Sequence, residues 1–184
     1  MLEILPSLEK VKEKHQFVLV LLGFTGSPLD SEMYEYAKFE EWGIKSDKTK
    51  YQTEALKCYE YLKRMGVVHF PFYTPELYPL ILANTINGDI GICPLEDNEF
   101  NKSKSCIKFY EYGACGMATI APKMLPYESE VSYTYQNTND FETKLIRLLN
   151  DKELRTNIAK EQRSWIIQNR DINDIAKLWK DILG

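Results

Sequence analysis

Histidine is scarce in this sequence and its cysteines are widely spaced, which argues against a zinc site. The chain has two histidines and four cysteines, and no two cysteines are separated by only two residues. The cysteines are Cys58, Cys93, Cys106 and Cys115. Because structural zinc needs four convergent nitrogen or sulfur ligands, we expect no metal site. We expect the thiols to be free and mostly buried, since a full-sized core needs no disulfides.

Long hydrophobic runs are also lacking. The longest is the six-residue segment Phe17–Leu22, far below the ~20 residues that a membrane-spanning helix needs. The first 15 residues lack the cationic start and apolar stretch of a signal peptide. We therefore expect a cytoplasmic protein with no transmembrane segment, attached at most peripherally to the inner face of the membrane.

An excess of basic residues is missing too. The chain has 23 Lys and Arg against 27 Asp and Glu, a formal net charge of −4. Nucleic-acid-binding domains usually carry a basic surface, so we do not expect nucleic acid as a partner. The length of 184 residues and the 44% hydrophobic content suit one domain with a full core. We predict a single domain over residues 1–184.

Short apolar segments alternate with amphipathic ones along the chain. Strands are predicted over residues 17–22, 67–70, 90–93 and 117–121. Helices are predicted over residues 2–14, 31–42, 55–65, 75–84 and 105–114, with three more beginning at Asp140, Asp151 and Asp171. This alternation predicts an α/β fold: a doubly wound, Rossmann-like parallel sheet with helices on both faces, followed by C-terminal helices. Ligands bind such sheets beyond the carboxyl ends of the strands, which directs attention to the loop over residues 95–103.

The polar residues best suited to bind a ligand follow the strand at 90–93. Asn101, Ser103 and Ser105 stand at the start of a predicted helix and are flanked by lysines: Lys102, Lys104 and Lys108. A helix N-terminus has unpaired N–H groups and a partial positive charge, so it binds phosphate without a metal. Glu111, one turn further along, can accept hydrogen bonds from a ribose diol. This arrangement suits a nucleoside diphosphate.

A simpler interpretation of the same residues remains open. The lysines can be a solvated face of the helix, with Glu111 paired to Lys108 at a spacing of three residues. Cys106, at the helix start beside Lys104, is either a reactive thiol with a lowered pKa or a buried structural one.

The order of the motifs in this stretch is specific. In chain order they are Asp89 to Leu95 (DIGICPL), Phe100-Asn101, Lys104-Ser105, Ile107-Lys108, Glu111 to Ala114 with Gly116, and Pro126-Tyr127. In this order they resemble the C-terminal nucleotide-sugar-binding domain of GT-B fold glycosyltransferases of the retaining, family 4 type. The resemblance is most specific over about forty residues.

The resemblance implies a role for each matched residue. Glu111 would bind the ribose hydroxyls of the donor, Phe72 would lie against the base, and Gly23 would line the crevice beside the diphosphate. The diphosphate would be held by backbone N–H groups and a lysine, contributed by Ser105, Cys106, Ile107 and Lys104. Asn101 and Ser103 complete the predicted donor site. No metal or cofactor is implied, because the nucleotide sugar is itself the substrate.

The function implied is transfer of a sugar from a nucleoside-diphosphate sugar to a saccharide or lipid-linked acceptor. Two departures from the family pattern matter. Ser103 stands where the family has the first of two glutamates, with Glu99 the nearest substitute, and we expect no acceptor-binding half within these 184 residues. We expect that half from an N-terminal acceptor-domain partner or from another protomer, and catalytic residues are not assigned. The alternatives are a non-catalytic nucleotide-sugar-binding or interaction module and a generic nucleotide-binding domain.

Overall fold

A computed structural model of the protein describes residues 2–22, 57–58, 60–70, 73–74 and 76–183. The chain divides into two compact units, Met1–Tyr78 and Pro79–Gly184. The predicted helix at 31–42 and the predicted site residues Gly23 and Phe72 lie outside the described residues. The prediction of a single domain stays a prediction.

The described residues of the first unit include two helices and a pair of parallel strands. Its elements are a 3₁₀ turn at Leu2–Ile4, helix α1 at Leu5–Lys14, strand β1 at Val20–Leu22, helix α2 including residues 60–64, and strand β2 at Val68–Phe70. Helix α1 has Pro6 in its first turn and buries Leu5, Leu8 and Val11 along one face. Strands β1 and β2 are parallel, with Val20 opposite Val68.

Strand β1 is shorter than predicted, and the reason is a contact made by the end of α1. Lys12 Nζ donates to the carbonyl of Phe17 at 2.6 Å and lies 4.9 Å from the centre of its ring. The carbonyl of Leu19 accepts from Val68 N at 2.9 Å, which is where pairing with β2 begins. The carbonyl of Phe17 is therefore bonded to the last turn of α1, and the strand begins after Val18, which is 70% exposed.

The second unit contains the remaining described elements, the first of which begins at Tyr78, the last residue of the first unit. They are α3 (Tyr78–Leu80) continuing as a π-helix (Ile81–Ile86), β3 (Ile90–Ile92), α4 (Glu99–Lys102), α5 (Ile107–Ala114), β4 (Ala118–Pro122), a 3₁₀ turn (Tyr127–Ser129), β5 (Thr134–Tyr135), α6 (Thr138–Asn150), α7 (Lys152–Asn169) and α8 (Ile172–Leu183). Helix α4 and strand β5 were not predicted. Helix α7 begins directly after Asp151, close to the prediction, whereas α6 begins two residues before Asp140 and is capped by Asn137, whose side chain accepts from Asp140 N at 3.0 Å.

The strands of the second unit form one parallel sheet in the order β3-β4-β5. All five residues of β4 are buried, as expected for the middle strand of a covered sheet. The protein is thus an α/β protein with parallel sheets. Among the described residues, no helix combines the length and the apolar character needed to cross a membrane.

A side chain completes the hydrogen bonding of β4 where β5 does not reach. Strand β5 pairs with β4 only at Ala121 and Pro122. At Thr119, Gln162 of α7 takes the place of a strand: its Oε1 accepts from Thr119 N at 2.8 Å, and its Nε2 donates to Thr119 O at 2.9 Å. Both residues are buried, so these two bonds satisfy polar groups that water does not reach.

Candidate functional site

The candidate site begins where the chain leaves β3. Pairing with β4 extends one residue further, since Cys93 N donates to Ile120 O at 3.0 Å. The chain then turns into α4, whose first turn is capped by Asn98 accepting from Asn101 N at 2.9 Å. Asn101 is itself buried, and its Nδ2 donates to the carbonyl of Glu96 at 2.9 Å. This side chain holds the loop that follows β3.

A short connection leads from α4 to α5, and its side chains are exposed. Ser103 Oγ donates to the carbonyl of Glu99 at 3.2 Å, and Lys104 N donates to Asn101 O at 3.1 Å. Ser103, Lys104 and Ser105 are all exposed. The structure thus brings the predicted polar residues 103–105 together on the surface immediately before α5.

The first turn of α5 has the amides that an anion needs. Its first backbone acceptor is Cys106 O, which accepts from Tyr110 N at 3.1 Å. Within the described part of the chain, no backbone carbonyl accepts from the amides of residues 105–107. Ile107 is exposed, so solvent reaches this helix end. Unpaired amides at a helix N-terminus attract negative charge.

Two lysines of this region, Lys102 and Lys104, differ in what their ammonium groups contact. Lys102 Nζ lies 3.1 Å from Asp97 and 3.0 Å from Glu99, and these contacts raise the pKa of Lys102. The ammonium of Lys104 lies 4.7 Å from the centre of the Phe100 ring. In the ranges that the structure covers, no carboxylate pairs with Lys104. Of these two lysines, Lys104 is therefore the one that can pair with an incoming phosphate.

Glu111 lies on α5 one turn after the helix start and is partly buried, with 25% of its side chain exposed. Its Oε2 accepts from Lys108 Nζ at 3.1 Å. This is the pairing that the simpler interpretation of the sequence expected. The ion pair is on the surface and half exposed, which puts its contribution at roughly 0.3–0.5 kcal/mol.

Cys106 is a structural thiol. It is buried, and its Sγ donates to the carbonyl of Pro126 at 3.2 Å. Burial raises the pKa of Cys106 to about 11, with a smaller contribution from the carboxylate of Glu130. Of the two interpretations that the sequence leaves open, these contacts support the buried structural thiol, because removal from water dominates the shift of its pKa.

Alkaline pH is expected to destabilise the protein through two buried thiols. Burial also raises the pKa of Cys93, to about 12. The unfolded chain releases these protons first, so the stabilising effect is complete below about pH 9 and declines between the unfolded and folded pKa values. At about pH 10.5, each thiol should lower the free energy of unfolding by roughly 2 kcal/mol. Urea denaturation at several pH values measures this, and Cys93→Ala should flatten the decline; an equally steep decline in that variant would contradict it.

Other residues considered from the sequence take ordinary positions. The backbone of His69 lies in β2 as predicted. Glu99, the nearest substitute for the missing glutamate, is 92% exposed and paired with Lys102. Among the described residues, no group of three or more His, Cys, Asp or Glu side chains is arranged to hold a metal ion. Comparison with protein-family models, with curated proteins and with solved structures finds no match to this chain.

Proposed function

We propose that this chain binds a nucleoside-diphosphate sugar and is the donor-binding half of a retaining glycosyltransferase. The observation that supports this most strongly is the N-terminus of α5. Among the described residues, no backbone carbonyl accepts from the amides of 105–107 and no carboxylate pairs with Lys104, which immediately precedes them; Glu111 follows on the same helix. From Ile107 to Glu111 the helix rises about 6 Å, so a phosphate and a ribose diol can bind along one helix face.

We also propose the architecture, the location and the acceptor side that accompany this activity. The fold is a doubly wound, Rossmann-like sheet, and the protein works in the cytoplasm. We propose an N-terminal acceptor domain or a second protomer as the partner on the acceptor side. The acceptor is a saccharide or a lipid-linked glycan.

The chemistry follows from electrostatics. Departure of the sugar leaves negative charge on the diphosphate, and the amides and Lys104 stabilise that charge without a metal. Glu111 accepts two hydrogen bonds from the ribose diol after leaving Lys108. Bonds to a carboxylate contribute about 1.5–3 kcal/mol each, more than the exposed ion pair that they replace.

A non-catalytic nucleotide-sugar-binding module is the second candidate. The observation that favours it is the exposed Ser103 at the position of the missing glutamate, with Glu99 engaged by Lys102. The two candidates agree on donor binding and differ in turnover. Hydrolysis or transfer of a bound donor, measured with the full chain, distinguishes them.

Removing the charge of Lys104 is expected to weaken diphosphate binding. Calorimetric titration with UDP, GDP and ADP should show binding of at least one. Lys104→Ala should raise its Kd about tenfold, the effect of losing one charge-assisted contact of ~1.4 kcal/mol. The corresponding monophosphate should bind more weakly and respond less to the substitution.

Lys160→Ala is the matched control for this experiment. Lys160 is exposed on α7, so the variant has the same change in net charge without altering the site. Its Kd should stay within a factor of two of the wild type. Equal weakening in the two variants would show that the effect is one of net charge, against the proposal.

A further inference from the structure

A network of side chains joins the first turns of α5 to the segment after β4 and to the end of α7. Cys106 Sγ donates to Pro126 O at 3.2 Å, and Tyr110 Oη donates to Glu130 Oε2 at 2.5 Å. Arg170 then bonds both partners of the second contact, with Nε to Tyr110 Oη at 3.0 Å and Nη2 to Glu130 Oε1 at 2.8 Å. We name these five residues the α5 bracket.

The bracket contacts α5 at two points that are one helix turn apart. Cys106 is the residue before the helix, and Tyr110 lies one turn later, with its amide donating to Cys106 O. Both side chains bond the same segment, at Pro126 and at Glu130. Two attachments one turn apart limit rotation of the helix end, whereas one would leave it free to turn about that contact.

The bracket is partly shielded from water and keeps its protons over a wide pH range. Glu130 is 18% exposed, and Arg170 lies 5.5 Å and 5.2 Å from the centres of the Tyr110 and Trp165 rings. Burial raises the pKa of Tyr110 to about 12, and the contacts with Tyr110 and Glu130 raise the pKa of Arg170. The hydroxyl, the guanidinium and the Cys106 thiol therefore stay donors at neutral pH.

We propose that Tyr110 and Arg170 are positioning residues: through Glu130 they hold the segment 126–130 against α5 and fix the direction of the amides of residues 105–107. This rests on the proposed function, in which those amides receive the diphosphate. The amides of residues 105 and 107 flank Cys106. A rotation of the first turn of α5 would therefore change the direction of both amides together. The affinity that depends on the bracket is that for the diphosphate group, whatever base and sugar the ligand carries.

Inorganic pyrophosphate is the probe for this inference, because it reports the diphosphate position independently of the base. Tyr110→Phe removes one hydroxyl and keeps the ring. We expect it to weaken pyrophosphate binding about fivefold or more and to speed amide hydrogen exchange over residues 126–131. Arg170→Gln should give the same pair of effects. Arg170→Lys, which keeps a charge beside Glu130, should recover part of the affinity.

Tyr133→Phe is the matched control. Tyr133 is a half-buried tyrosine whose hydroxyl donates to Lys144 O of α6 at 3.4 Å. It should leave pyrophosphate affinity unchanged even where it lowers the melting temperature. Equal affinity of Tyr110→Phe and the wild type for pyrophosphate would overturn the positioning role.

The outcome also separates this inference from the proposed function. If the wild-type chain binds neither pyrophosphate nor any nucleoside diphosphate, the proposed function fails and the positioning role falls with it. If the wild type binds and the bracket variants bind equally well, only the positioning role fails. In both cases, the rate of amide hydrogen exchange over residues 126–131 in the bracket variants shows whether the substitution broke the contacts of the bracket.

Discussion

Replacing Gln162 by methionine is expected to lower the free energy of unfolding by about 2–5 kcal/mol. Methionine fills a similar volume but cannot hydrogen-bond the N–H and C=O of Thr119. Each buried backbone group left without a partner costs about 1–3 kcal/mol. Since a whole domain is stabilised by roughly 5–15 kcal/mol, the loss is a large fraction of the total. Urea denaturation measures it, and the Thr119 amide should exchange with solvent faster.

The control for this substitution lies on the same helix. Gln168 is exposed on α7, so Gln168→Met changes the same functional group without touching β4. Its effect should stay within about 0.5 kcal/mol, as is usual for surface positions. Gln162→Glu retains an acceptor for Thr119 N and loses the donor for Thr119 O, so it should also destabilise. Equal stability of Gln162→Met and Gln168→Met would contradict the role of Gln162.

Gly91→Ala is expected to destabilise the second unit by about 3 kcal/mol, at the upper end of what overpacking costs. A methyl group on Gly91 would lie 2.6 Å from Cδ2 and 2.8 Å from Cβ of Tyr112 on α5. The Cβ atom moves only with the helix backbone, so β3 and α5 must separate. This outweighs the ~0.5–1 kcal/mol that alanine usually gains over glycine in a strand.

Gly88→Ala provides the comparison from the same segment. The nearest atoms to its methyl group are the Sδ and Cε of Met117, at 3.3 and 3.4 Å, which are the end of a flexible side chain. We expect a change below about 1 kcal/mol in denaturation experiments. Similar losses in the two alanine variants would show that the close approach of β3 and α5 is not the cause.

Local patterns in the sequence predict much of the second unit. The apolar run at 90–93, the break at Pro94 and the helix before Gly116 all correspond to elements of the structure. Asp151 is a recognisable helix cap because it directly precedes an amphipathic helix. The two-residue strand β5 is too short to show an alternation of its own, so only its neighbours in space define it.

The candidate site is less predictable from the sequence than the helices and strands are, because part of it is formed by residues far apart in the chain. Residues 103–111 are close in sequence, and the connection after α4 and the first turn of α5 bring them together. The bracket joins Tyr110 to residues 20 and 60 positions away, and no periodicity relates them. Cys106 illustrates the same limit: its position before a helix is compatible with a reactive or a buried thiol, and only its contact with Pro126, 20 residues away, distinguishes them.

The central claim is that α5 binds the diphosphate and ribose of a nucleotide donor. Its most direct test is calorimetric titration of the wild-type chain and Glu111→Gln with UDP, GDP and ADP and their 2′-deoxy forms. Glu161→Gln, an exposed glutamate on α7, is the control for lost charge. The account predicts saturable binding of at least one ribonucleotide, weakened about tenfold, ~1.4 kcal/mol, by Glu111→Gln with loss of the preference for ribose. Absence of binding to all three nucleotides, or equal binding by wild type and Glu111→Gln, would contradict it.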